Sequence, residues 1–436
     1  MARRRVREID VVIESLDADG LGTATYEDRA VRVRNALPGE SVHARVLKRR
    51  RGTWFAQADS PEDWSVDRQM PPPCAFFPRC GGCALQHLAY DAQLKHKESR
   101  LLRALEQAGV RPHQVRLPVS GPRLHYRYKA RLGSRLVGNQ LLVGFRESFS
   151  SRVTRMDDCQ TLALPFARSL PNLQEALSGL EQPQLVPQVE LAAGDTEFAY
   201  IVRHLQPLTE ADRARLLSFA RESGGRLYLQ PGGYDSVHRL DPCDGPDYMS
   251  YSNLDFGLRY QFRPTDFTQV NPYINRSLVR NAVMALDPPP GATAADLFCG
   301  IGNFALALAR LGVNVQGYES APASIERAQL NASLNGLNDG AQFRVADLYH
   351  AEGESLPAAG FLLLDPPRSG AGPNLKRWAS WQQLERIAYV SCNPDTFAED
   401  ARLLKQMGFN LKEVGIYDMF PQTAHVETLG VFQRRG

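Results

Sequence analysis

From residue 293 onward, short apolar runs alternate with stretches of helical spacing, and this alternation restricts the fold more than any other feature. The runs at 294–298, 313–318, 343–346, 361–364 and 387–390 each stop at a polar or acidic residue, and helical stretches at 305–311 and 396–407 follow two of them. Such a pattern predicts a doubly wound parallel sheet, whose ligands gather at the carboxyl ends of the strands. A helix at 272–286 leads into it, with Ile274, Leu278, Ala282 and Leu286 four residues apart. Asn271 suits its N-cap and Pro272 its first position.

The strand ends carry the chemistry. Asp296-Leu297-Phe298-Cys299-Gly300-Ile301-Gly302-Asn303 is a Gly-rich strand-to-helix turn, where a backbone can approach a cofactor closely. Glu319 ends the next run, a position from which a carboxylate reaches ribose hydroxyls. The turn and Glu319 together point to a nucleoside cofactor, NAD or S-adenosylmethionine. Asp347 and Asp365-Pro366-Pro367 close two further runs, and Glu427 precedes a last strand at 429–432. Cys392, in Ser391-Cys392-Asn393-Pro394, stands between a strand and a helix N-terminus. That position is expected to favour the thiolate, the nucleophilic form. Gln269 and Phe267 precede the 272–286 helix and are free to face a ligand.

Upstream, alternating runs at 11–13, 31–34, 41–46 and 53–58, broken by Gly20-Leu21-Gly22 and Leu37-Pro38-Gly39-Glu40, predict a small β-barrel. The net charge is only +3, so affinity for nucleic acid has to come from local patches. Lys48-Arg49-Arg50-Arg51 beside Trp54 and Phe55 is one candidate, offering cations with stacking rings. Arg127, Lys129 and Arg131 are another, on one face of a strand at 125–132. Seven cysteines in a chain without an export signal argue for reduced thiols. Cys74-x5-Cys80-Gly81-Gly82-Cys83 has ligand spacing, with Cys159 as the fourth donor and Cys243 as a more distant alternative. Four thiols suit Zn²⁺ or an iron–sulfur cluster equally. The middle of the chain mixes strands at 189–192, 198–204 and 226–229 with helices at 167–180 and 210–222, and reads as an α+β support. No run is long enough to span a membrane.

If the cofactor is a methyl donor, a thiol and a carboxylate beside it suit one hard reaction, methylation at C5 of a pyrimidine. Addition of the thiolate to C6 makes C5 nucleophilic, and a base must then remove the C5 proton. A carboxylate such as Asp365 can fix the base edge, and Phe267 can stack on the ring. The target base has to lie outside its stack. An exocyclic-nitrogen methyltransferase would share the Asp-Pro-Pro turn without needing Cys392, and a non-catalytic RNA-binding assembly factor would need neither.

Phe267-x-Gln269-x-Asn271, Asp296-Leu297-Phe298-Cys299-Gly300-x-Gly302, Asp365-Pro366-Pro367-Arg368, Ser391-Cys392-Asn393-Pro394 and His425-x-Glu427-Thr428 together resemble the RNA (uracil-5-)-methyltransferase family. The amino-terminal pattern resembles the TRAM domain, and the cysteine spacing resembles that family's [4Fe-4S] site. The resemblance implies Cys392 as nucleophile and Glu427 as base. It implies S-adenosylmethionine held by Gln269, Phe298, Asn303, Glu319 and Asp347, with Asp365 at the cofactor–uracil junction. Some relatives carry Asn at the position of Asp347. It further implies a [4Fe-4S] cluster on Cys74, Cys80, Cys83 and Cys159. The architecture expected is a multidomain α/β protein. It comprises an OB-like barrel over 1–65, a central α+β iron–sulfur domain over 66–261 and a Rossmann-like methyltransferase domain over 262–436. Having both barrel and cluster resembles the branch acting on 23S ribosomal RNA; tRNA or another rRNA site is the alternative. The expected setting is a monomer in the cytoplasm.

Overall fold

The computed structural model describes residues 7–61, 63–241, 247–349 and 356–435. The first six strands, from Glu8–Val12 to Thr53–Pro61, form one coiled sheet around Ile9, Val11, Val31, Val33, Ala44 and Ala56. The period-two alternation of these strands puts every second side chain in that core. Trp54 is in the core too, only 5% exposed. Arg49 lies over its ring at 4.4 Å, Arg7 at 4.7 Å and Arg29 at 5.1 Å. Phe55 packs against Phe149. The barrel therefore uses the Trp54 ring to hold its own arginines, and Phe55 is spent in part on Phe149.

A second six-stranded sheet contains Lys129–Val137, Gln140–Gly144, Gln188–Ala193, Phe198–Arg203, Arg226–Gln230 and His238–Arg239. Helices Leu164–Ser178 and Glu210–Ser223 bury Leu170, Leu173, Leu216 and Phe219 with it. Its first strand starts at Lys129, not 125, because His125 takes a left-handed backbone (φ 53°) and Arg127 pairs with Leu162 in an isolated bridge. The expected row of three cations is also spent on protein partners. Lys129 donates to the Asp266 carbonyl, Arg131 pairs with Glu190 at 3.0 Å, and Arg127 lies over the Phe145 ring.

The eight-stranded third sheet runs 341–345, 314–319, 293–297, 361–364, 386–391, 427–434, 409–417, 114–115. Its first five strands are parallel, and Glu427–Arg434 inserts antiparallel between Arg386–Ser391 and Phe409–Tyr417. Buried faces on both sides, such as Leu362, Leu363 and Leu364, explain why its strands read as continuous apolar runs. Residues 90–119, grouped by sequence with the cysteine segment, contribute here instead. Leu101, Ala104 and Leu105 of helix Tyr90–Gln107 share a core with Phe397, Ala401 and Leu404 of helix Pro394–Gln406. Gln114–Val115 pairs with Phe409–Tyr417 at the sheet edge. No helix among the described residues is long and apolar enough to cross a membrane.

Candidate active site

Glu427 and Cys392 reach one place from opposite chain directions. Ser391 faces Thr428 at the last pair of the antiparallel ladder, so the residues just beyond it, Cys392 and Glu427, lie near each other at the carboxyl end of the parallel strands. Asp365 ends the neighbouring strand, its N–H 3.4 Å from the Leu297 carbonyl. Gln269 donates to Asp365 Oδ2 across 3.5 Å. Asn393 caps the following helix by accepting from the Asp395 N–H at 3.2 Å, and its side chain donates to the Arg368 carbonyl at 3.0 Å. These bonds tie the Asp-Pro-Pro-Arg turn to the cysteine turn.

Burial governs the protonation of this cluster. It raises Asp365 to about 7, and with Asp365 beside it Glu427 stands well above the usual carboxylate range. Cys392 is pushed up to about 11, by burial first and then by Glu427 and Asp365, against a lowering by Arg368. The thiolate expected from the helix N-terminus is therefore not the resting form, because desolvation and neighbouring acids outweigh the helix end.

The Gly-rich turn adopts the close-approach geometry expected of it. Phe298 (φ 68°), Gly300 (53°) and Gly302 (89°) are all left-handed. A Cβ on Gly302 would meet the Phe343 ring at 3.2 Å and Leu306 at 3.3 Å. Phe298 holds a conformation that costs a non-glycine residue energy, with its ring against Tyr349 and Trp378. Glu319 Oε1 accepts from the Ser320 N–H, the Ser320 hydroxyl and the Ala321 N–H, fixing the carboxylate at its strand end. Asp347 Oδ1 accepts from the Tyr349 N–H. The Asn303 amide is committed to a reciprocal pair with Asn275 (2.9 and 3.1 Å) and to the Tyr251 hydroxyl. The Asn303 carbonyl accepts from the Tyr260 hydroxyl at 3.0 Å. Phe267 is 70% exposed on the loop before the Pro272–Leu286 helix.

Sequence reading gave Asp296 no role. Its carboxyl is wholly buried, and neither oxygen makes a well-formed hydrogen bond, the Ala305 N–H acting on it too weakly to offset burial. Burial, then Asp365, raises it far above a normal carboxylate. An acid inside the apolar run Ala294-Ala295-Asp296-Leu297 was the available signal. Asp296, Glu319 and Asp365 stand at the ends of adjacent strands, with Asp296 lacking a hydrogen-bond partner, and such a row of acids suits a cationic ligand.

The four sequence-predicted ligands Cys74, Cys80, Cys83 and Cys159 line one small pocket, with Phe77, Phe145 and Met156. Cys243, the alternative, lies outside the described residues. Burial raises the thiols of Cys74 and Cys80 and pushes Cys83 up to about 12, and neighbouring thiols add to each. The Gly82 N–H lies 3.4 Å from Cys80 Sγ, and the Thr161 hydroxyl 3.5 Å from Cys159 Sγ. A Cβ on Gly82 would strike the Phe145 ring at 2.8 Å. As they stand, no three His, Cys, Asp or Glu side chains among the described residues converge closely enough to hold a metal ion.

Comparison with known proteins gives the family and the fold. The family described as tRNA (Uracil-5-)-methyltransferase matches residues 251–352 and 357–435, and the TRAM domain matches residues 2–58. A Hahella chejuensis protein is 41% identical over 100% of both chains, and an Aromatoleum aromaticum protein is 43% identical over 97% of this chain and 99% of that one. Both are named 23S rRNA (uracil(1939)-C(5))-methyltransferase RlmD. The solved Pyrococcus abyssi tRNA (uracil-54, C5)-methyltransferase in complex with S-adenosyl-L-homocysteine has the same fold. It is 24% identical with a TM-score of 0.73, over 97% of this chain and 100% of that one. The chain belongs to the RNA uracil-5-methyltransferase family and carries that family's catalytic fold behind a TRAM domain.

Proposed function

We propose that this chain methylates C5 of a uracil in 23S ribosomal RNA, the base equivalent to the uracil 1939 in its relatives' name. The observation that carries the reading is the pairing of Cys392 with Glu427 at the strand ends, beside the Gly-rich turn. Gln269, the Phe298–Asn303 backbone, Glu319, Asp347 and Asp365 hold the cofactor. The unsatisfied Asp296 carboxyl and the raised Asp365 fit a cation at that place. When bound, S-adenosylmethionine supplies the electrophilic methyl group that the activated C5 takes.

The Cys392 sulfur loses its proton to water on its half-exposed side and bonds to C6 of the uracil. The C5–C6 electrons move toward O4, and C5 becomes the nucleophile. Asp365 holds the base edge, and Phe267 stacks on the ring. After methylation Glu427 takes the C5 proton, the double bond re-forms, and the C6–S bond breaks with its electrons returning to sulfur. Burial raises both acids, and a bound sulfonium cation beside them would favour their ionised forms.

Cys74, Cys80, Cys83 and Cys159 hold a [4Fe-4S] cluster in this reading. Four thiols around one pocket, three of them buried and Cys74 half-buried, with N–H and O–H groups close to sulfur, suit a cluster that keeps them deprotonated. A broad visible absorption band in anaerobically prepared protein is expected, and a colourless zinc protein would overturn the assignment. The reading includes a monomer acting in the cytoplasm.

The deciding experiment is transfer of labelled methyl to separated 23S rRNA and tRNA, with the product mapped. Label confined to one uracil C5 of 23S rRNA is expected, and label in tRNA alone would sink the substrate assignment. RNA carrying 5-fluorouracil should leave a stable adduct on the wild-type protein and none on Cys392→Ala. An active Cys392→Ala enzyme would rule out covalent catalysis.

A further inference from the structure

The loop that delivers Glu427 is hung on the cysteine segment. Immediately after Cys83, the N–H groups of Ala84 and Leu85 both donate to the Gln422 carbonyl, at 3.0 and 2.9 Å. Gln93, on the Tyr90–Gln107 helix and 2% exposed, grips the same residue from the other side. Its Nε2 lies 3.0 Å from Gln422 Oε1 and also reaches the Leu85 and Leu88 carbonyls, while its Oε1 accepts from the Gln422 N–H at 3.1 Å. Gln422 is held in a left-handed conformation (φ 67°) that a free loop residue would rarely keep. Adjacent carbonyls are held the same way: Phe420 by Lys97, Pro421 by the Tyr126 hydroxyl, Ala424 by Arg100. On the far side of the cysteine turn, buried Arg34 of the barrel donates to the carbonyls of Pro78, Cys80 and Cys83. Gln422 is thus one hydrogen bond away from the residue after Cys83 and five residues before Glu427.

We propose that the cysteine segment is a clamp for the catalytic carboxylate, with Gln93 and Gln422 as positioning residues. Filling of the thiol pocket fixes the 80–85 turn, and through Gln422 that turn fixes the 418–426 loop on which Glu427 stands. The inference rests on the reading of Glu427 as the base that removes the C5 proton. A loosened clamp then impairs one step only. The Cys392–C6 bond still forms and C5 is still methylated, but the C5 proton stays, so the C6–S bond cannot break and RNA remains attached to the protein.

Gln93→Met keeps the side-chain volume and removes the four bonds that the Gln93 side chain makes to Gln422 and to the Leu85 and Leu88 carbonyls. In the full-length, iron-loaded protein it is expected to lower turnover by about tenfold or more while raising the fraction of protein covalently joined to methylated RNA several-fold, with iron content unchanged. A role in general stability alone would lower turnover and adduct together, and that result would overturn the proposal. Glu427→Gln, run alongside, separates the two ideas. If it accumulates adduct and Gln93→Met does not, the clamp fails and the base assignment stands; if neither does, the base assignment itself fails. Hydrogen exchange gives a readout without RNA. Removing iron from the wild-type protein should speed exchange across residues 419–426 relative to the 341–345 strand, and unchanged exchange there would refute the coupling.

Discussion

Ser391 faces Thr428 across the antiparallel junction in an otherwise mostly parallel sheet, and that register makes Cys392 and Glu427 neighbours. A parallel strand in the same place would begin at the opposite edge, and its first residue would lie a strand's length from the thiol. Reversal of this one strand lets a residue at a strand start join residues at strand ends. The proposed catalytic pair depends on register, since a one-residue slip would turn Glu427 to the other face.

The resting thiol should be sluggish. With Cys392 pushed up to about 11, its alkylation by iodoacetamide in the free protein at pH 8 should be about 10- to 100-fold slower than that of an unperturbed cysteine. Arg368→Met, which removes the lowering charge, should slow it further, and Asp365→Asn should speed it. Mass spectrometry of the Cys392 peptide against time reads the rate, and alkylation as fast as a free thiol would contradict the assigned environment.

Asp365 gives the free protein a pH-dependent weakness. Its folded value, about 7, lies above the ordinary carboxylate value of 3.8, so the folded state binds the proton more tightly than the unfolded one. Its stabilising effect is complete below about pH 4 and is lost as pH rises through about 7. Asp365→Asn should therefore stabilise the cofactor-free protein at pH 8 by about 1–3 kcal/mol, after allowance for solvent on its accessible side. It should make little difference at pH 4. Urea unfolding of both proteins at the two pH values checks the sign, and calorimetry should show cofactor affinity lowered by roughly tenfold.

Lys97 and Asp418 form an ion pair 1% exposed on each side, at 2.5 Å, with the Tyr90 hydroxyl on the other carboxylate oxygen. Lys97→Met leaves a buried carboxylate without its cation and should cost about 3–5 kcal/mol. The double change Lys97→Met with Asp418→Asn should recover most of that loss, because no charge then remains buried. Thermal unfolding of the three variants gives the comparison, and a double variant as weak as the single one would show that the pair is worth more than its burial costs.

Phe267 is 70% exposed and contributes little to folding. Phe267→Ala should shift stability by no more than about 0.5 kcal/mol. It should lower kcat/KM for RNA by roughly 5- to 150-fold, the range of about 1–3 kcal/mol that base–aromatic stacking is worth. Steady-state kinetics beside a melting curve tests both halves, and an unchanged kcat/KM would remove Phe267 from the substrate site.

The parts of this molecule that sequence reading recovered are those written in local pattern. The apolar runs from 293, the glycines of the turn and the Asn271 N-cap each express a constraint satisfied within a few residues. The Cys74–Cys83 spacing is of the same kind. Other readings failed because a partner distant in sequence decides them. Arg131 looks free until Glu190 is beside it, and Trp54 looks like a stacking platform until Arg7, Arg29 and Arg49 cover it. Cys392 looks activated by its helix until burial is counted. Residues 90–119 look like part of the cysteine segment until their apolar face meets Phe397 and Leu404.

By itself the sequence determined which strands and turns form and which reactive groups they end on, because backbone geometry and hydrophobic period act over short stretches. Only the tertiary structure decided which of those groups meet and which hold their protons, and only it joins Gln93 to Gln422 and leaves Asp296 buried without a partner. Contact and desolvation are properties of the packed chain, and for Gln93 and Gln422 the two partners stand 329 positions apart.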